Sequence, residues 1–125
     1  MIKIFEQNKI LSAFTTILIA IGIFIISQAH SNYQGTYPNT ELLSVLYHFF
    51  AFFFFGLFLL ITFTKNKNFE FLIPSIIVSI IYAILDELHQ YFVPGRFSSF
   101  GDVITDTAGI VLASLMYYNY KKYLS

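Results

Sequence analysis

Residues 42–64 read LLSVLYHFFAFFFFGLFLLITFT, with no charged side chain and a single histidine, His48. At 1.5 Å per residue, a helix of this length crosses the roughly 30 Å of hydrocarbon in a bilayer. No period-two alternation is present, and the ten-residue strands of a membrane barrel do not read as one continuous apolar run. The stretch is therefore predicted as a transmembrane helix. The run of phenylalanines, Phe52 to Phe55, reads as lipid-facing and packing bulk within it.

Working outward, three more segments read the same way. They are residues 10–26 (ILSAFTTILIAIGIFII), 71–90 (FLIPSIIVSIIYAILDELHQ) and 103–120 (VITDTAGIVLASLMYYNY). Each lies near the roughly 20 residues a spanning helix needs. The predicted fold class is all-α: a polytopic membrane protein built as a four-transmembrane-helix bundle. It forms a single domain over residues 1–125, without repeat or linker.

Composition agrees. The 125 residues are 57% hydrophobic and 11% charged, with 16 Phe and no Trp, and the mean hydropathy is +0.70. A water-soluble chain of this size has too much surface for its volume to hide so much apolar matter. The formal net charge is zero, so no basic field for nucleic acid exists. Absence of cysteine excludes disulfides, thiolate metal sites and thiol catalysis.

Lysine placement orients the bundle. Lys3 and Lys9 precede the first span, Lys65 and Lys67 separate the second and third, and Lys121 and Lys122 follow the fourth. By the positive-inside rule both termini are cytoplasmic, and residues 28–41 and 86–102 face outward. The lysines, the apolar stretch and Ser27-Gln28-Ala29 also imitate a signal peptide with its cleavage site. Seventeen apolar residues are long for such a signal, so the first span is read as a retained anchor.

Against this background residues 86–102, DELHQYFVPGRFSSFGD, form a polar island. On the third helix Ser75, Ser79, Tyr82, Asp86 and His89 recur at steps of four and three, one polar face at helical period. Gln90 stands beside His89, whereas Glu87 lies about 100° round the helix and is expected along the membrane interface. On the fourth helix Asp102, Asp106, Gly109 and Ala113 share a face, and Gly109 with Ala113 gives a small-xxx-small surface for close packing. Asp102 also suits the N-cap of that helix. Asp106, a turn deeper, would cost several kcal/mol against lipid and is expected to face the bundle or a wet cavity. His48 lies about 9 Å below the same end of its helix. His48, Asp86, His89, Asp102 and Asp106 are therefore expected to converge in one outward-facing pocket.

Tyr91, Phe92 and Val93 then read as an interfacial anchor and Pro94-Gly95 as a turn. This turn presents Arg96, the only arginine, with Ser98 and Ser99 beside it. Arg96 is either a fork for phosphate or carboxylate or a salt-bridge partner of Glu87, Asp86 or Asp102.

The pattern DELHQ-x-FVPGR-x-x-S-x-x-D-x-x-x-D-T-x-G, residues 86–109, closely resembles the signature of the VanZ-like family of small bacterial membrane proteins. His48-Phe49-Phe50-Ala51-Phe52 with Gly56 resembles a second motif of that family, and Ser27-Gln28 a weaker third. Phe52 stands where the family often has Tyr, and Asp106 where Asn is common. The resemblance implies a cell-envelope role in the bacterial cell membrane, since the family takes its name from low-level resistance to teicoplanin-type glycopeptides. It carries over no settled reaction.

Three uses of the pocket are open. An enzyme acting on a lipid-linked envelope substrate would use Asp86 or Glu87 with His89 as general acid and base. His48, Gln90, Arg96, Ser98, Asp102 and Asp106 would then bind the substrate. A non-catalytic protein would use the same groups to bind an envelope lipid, a cell-wall precursor or a lipoglycopeptide. A purely structural role is disfavoured, because interhelical polar contacts in membranes average only about 0.6 kcal/mol. Asp86, His89, His48, Asp102 and Asp106 are ligand types for a divalent ion. However, Asp-x-x-His is a weak signal and HExxH spacing is absent, so no metal or other cofactor is assigned. Membrane lipids are the expected surroundings, and nothing in the sequence sets an oligomeric state.

Overall fold

The computed structural model describes residues 2–29, 40–64, 69–94 and 98–123, a set that leaves Arg96 outside. The described chain is all helical. A short α1 (Ile2–Gln7) precedes α2 (Lys9–Ala29), α3 (Thr40–Phe63), α4 (Leu72–Tyr91) and α5 (Phe100–Tyr123), and one 3-10 turn, Phe69–Phe71, leads into α4. Within them lie four stretches long and apolar enough to cross a membrane: Lys9–Gln28, Leu42–Phe63, Leu72–Tyr91 and Phe100–Tyr123. The chain is a multi-pass membrane protein.

Local chemistry sets the boundaries. Asn8 separates α1 from α2: its Oδ1 accepts the Leu11 backbone N–H at 3.1 Å, the bond of an N-cap. α5 starts three residues before the predicted span, because Ser99 caps it. The Ser99 Oγ accepts the Gly101 N–H at 3.1 Å and its carbonyl accepts the Asp102 N–H at 3.0 Å. Asp102 is therefore not the cap, and its carboxylate is released for other work.

Consecutive long helices run antiparallel, and α3 is the central one, in contact with α2, α4 and α5. Half of its spanning stretch is buried, against 22% to 33% in the others. Its inward face carries Phe52, Phe55 and Leu59, which pack with Ile23, Ala83 and Ile110. Farther down, Leu60 and Ile61 pack with Ala113 and Tyr117. Phe54 points outward and joins the exposed apolar surface of Ile17, Ile81, Leu115 and Met116, the kind of surface lipid covers. Helices in lipid gain little hydrophobic drive from one another and associate where small residues let backbones approach. Gly109 is such a place. A Cβ added there would run into the Phe49 carbonyl and stand 3.1 Å from the Phe53 nitrogen, both backbone atoms of α3.

We take the end bearing the α4–α5 connection as the upper end. At the lower end Lys9 Nζ donates to the carbonyls of Ile61, Thr62 and Thr64 at 2.8, 3.1 and 2.8 Å. These are carbonyls that the C-terminus of α3 leaves without helical partners. Beside them Glu6 Oε1 accepts from Lys121 Nζ at 2.6 Å and from the Tyr117 hydroxyl at 2.8 Å.

Candidate functional site

The close approach at Gly109 sets the α5 turn before it against the α3 turn that holds Phe49 and the residue preceding it. The side chains that meet there are Asp106 and His48. His48 Nδ1 lies 3.0 Å from Asp106 Oδ1, and the residues are 1% and 0% exposed. A carboxylate accepts, so Nδ1 carries the proton and Nε2 is the nitrogen turned elsewhere. Either group alone at this depth would be costly, and pairing offsets that cost.

α4 brings three more groups to the same end. Asp86 and Gln90, one turn apart, are both buried, and Gln90 Nε2 donates to Asp86 Oδ2 at 2.8 Å. Glu87 is also buried, 4% exposed, and its Oε2 accepts the Ser99 backbone N–H at 3.0 Å. One bond therefore ties the end of α4 to the cap of α5. Expectation placed Glu87 along the interface, and the structure corrects this. α5 begins where Ser99 can donate to Glu87, which turns that carboxylate inward.

His48, Glu87 and Asp102 each offer a ring nitrogen or carboxylate oxygen within 4.8 Å of the others, with Asp102 half-buried. Asp86 and Asp102 are near enough to Asp106 for their charges to act on it. Four atoms here are buried without a hydrogen-bond partner among the described residues: His48 Nε2, Asp86 Oδ1, Glu87 Oε1 and Asp106 Oδ2. Buried polar atoms are nearly always satisfied, so four orphans in one region mark a place made for something that donates to them or carries positive charge. No lysine or arginine among the described residues lies at this end.

His89 stands apart from these carboxylates. Its ring is half-buried against Phe24 at 4.7 Å, and its Nε2 is 3.4 Å from Gln28 Nε2, both on α2. Ser98 is exposed on the connection, and Arg96 falls outside the described residues. The structure thus brings together His48, Asp86, Glu87, Gln90, Asp102 and Asp106, and it leaves His89 and Ser98 at the margin. The cue for the inward turn of Glu87 was in the chain. Ser99-Phe100-Gly101-Asp102 has capping-box spacing, which moves the start of α5 ahead of Asp102.

A search of curated proteins and a search of solved structures each returned no match. The VanZ/LLP1 family model matches residues 5–121, nearly the whole chain, which therefore belongs to the VanZ/LLP1 family.

Proposed function

We propose that this protein works in the bacterial cell membrane with its upper end outward, acting on a lipid-linked envelope substrate and lowering susceptibility to teicoplanin-type glycopeptides. The observation that carries this reading is the set of four orphaned polar atoms on His48, Asp86, Glu87 and Asp106. Polar groups that serve only to join helices would be paired with one another. Here the pairing stops halfway. In this reading Asp86, held by Gln90 with Oδ1 open, exchanges the proton, and His48, Glu87 and Asp102 hold the reacting group. His89 and Gln28 line the approach from α2. The lysine bias of the sequence supports the outward orientation.

A second reading, binding without turnover, draws on a different feature. An apolar groove of about 630 Å³ runs between α2 and α3, lined by Ile19, Leu43, Leu46, Phe50, Phe54 and Phe58 among others, a shape suited to an acyl chain.

The test expresses wild type and Asp86→Asn in a susceptible bacterium. Wild type should raise the tolerated teicoplanin concentration, and Asp86→Asn should remove the gain while membrane levels of the protein stay unchanged. Full resistance in the variant sinks the enzymatic reading. Mass spectrometry of lipid-linked precursors incubated with the protein in nanodiscs then separates turnover, a mass change, from retention without change.

A further inference from the structure

The upper end gathers four carboxylates, Asp86, Glu87, Asp102 and Asp106, around one imidazole, and every described lysine lies at the other end of the bundle. Buried negative charge in a membrane demands compensation. Three observations say which kind. His48, 1% exposed, has Nδ1 bound to Asp106 and Nε2 without a partner among the described residues. Glu87, 4% exposed, has Oε2 bound to the Ser99 N–H and Oε1 without a partner among the described residues. Asp102, freed from capping by Ser99, completes a triangle of residues: His48, Glu87 and Asp102 each offer one ligand atom within 4.8 Å of the others.

We propose that His48 Nε2, Glu87 Oε1 and an Asp102 carboxylate oxygen form a site for one divalent transition-metal ion, with Asp106 as the residue that positions His48.

The arrangement fits metal chemistry at both levels. A ligating histidine usually donates its other N–H to a carboxylate, which fixes the tautomer and raises the basicity of the ligating nitrogen. The His48–Asp106 bond is that contact. Three donors bound tetrahedrally at about 2.1 Å stand about 3.4 Å apart, so closing on an ion from separations of up to 4.8 Å takes a shift of up to about 0.8 Å by each side chain. One nitrogen and two carboxylate oxygens select the manganese-to-zinc range over magnesium and calcium, which prefer all-oxygen shells, and over copper(I), which prefers sulfur. Three protein ligands leave positions for water or a substrate oxygen. A bound dication would also reconcile an acidic pocket with an anionic lipid head group that four carboxylates otherwise repel. That consequence rests on the proposed function; the binding itself does not.

The experiment titrates tag-free, chelator-stripped protein in nanodiscs with Zn²⁺ and Mn²⁺. It reads isothermal calorimetry and the metal retained after desalting. Wild type should bind one equivalent per chain and hold it against a 100-fold excess of Mg²⁺ or Ca²⁺. His48→Ala should weaken binding at least 100-fold, and Asp106→Asn by about 10- to 100-fold. Glu87→Gln and Asp102→Asn, which keep side-chain size, carry the same test should His48→Ala fail to fold. No stoichiometric binding by wild type overturns the proposal, as does wild-type affinity in folded Glu87→Gln and Asp102→Asn. The readout is metal and not lipid or antibiotic, so a negative result here leaves the proposed lipid function standing.

Discussion

The two ends of this bundle use similar groups and treat them in opposite ways. At the lower end each buried or half-buried charge among the described residues has its counterpart, and the buried atoms left without one there, Thr64 Oγ1 and Ser75 Oγ, are neutral hydroxyls. Lys9 meets three carbonyls of α3, and Glu6 meets Lys121 and Tyr117, with the Lys121 ammonium also 5.7 Å from the Tyr117 ring centre. An ammonium at a helix C-terminus also complements the helix dipole. At the upper end His48 and Asp106 pair once, and four further buried polar atoms have no partner among the described residues. The lower end is built as a clasp. The upper end is kept incomplete at a cost in stability, which a functional site tolerates and a purely structural one does not.

Breaking the scaffold that serves both ends should have the largest effect. Gly109→Ala puts a methyl group into the α3 backbone at Phe49, and backbone cannot step aside as a side chain does. We expect a loss of about 3 kcal/mol or failure to assemble, read by thermal unfolding in detergent. A mild effect would mean that α3 and α5 slide freely, and that the His48–Asp106 contact does not depend on Gly109. Next in size is the clasp. Lys9→Met removes the donor to three carbonyls and should cost about 2 kcal/mol, since hydrogen bonds to charged groups contribute about 1.5–3. Metal binding at the upper end should remain as in wild type. A change at both ends would merge what the comparison separates.

Most of the fold is legible in the chain because lipid imposes a simple requirement. Continuous apolar runs must be helices whose backbone bonds close internally, so residues 42–64 announce α3 without ambiguity. The deep pair is legible for the same reason: an aspartate such as Asp106 has no inexpensive place but the interior. Legibility fades where water returns. Near the membrane surface a carboxylate such as Glu87 is affordable facing either way, and only the cap at Ser99 decides. The clasp was hidden for a related reason. Lys9 carries a topological signal whether or not it bonds, and its partners are backbone carbonyls, which every residue possesses and no sequence pattern marks. His89 shares the helical face of Asp86, yet one turn nearer the surface α2 stands beside it, and Phe24 and Gln28 take the ring.

The smallest effect on stability should come from the substitution that seems most disruptive. Removing one member of a buried ion pair ordinarily costs about 3–5 kcal/mol, because the survivor is left charged and alone. Asp106→Asn should not behave that way. The amide oxygen still accepts from His48 Nδ1, so the histidine keeps its partner and its tautomer. The amide nitrogen replaces Asp106 Oδ2, an oxygen that has no donor among the described residues. One negative charge also leaves a region holding Asp86, Glu87 and Asp102, which lowers like-charge repulsion. The metal-free protein should therefore unfold within about 1 kcal/mol of wild type, on the stabilised side. A loss of several kcal/mol would show that the charge of Asp106 is matched within the protein itself. The upper end would then be a second clasp, and the contrast between the two ends would fall.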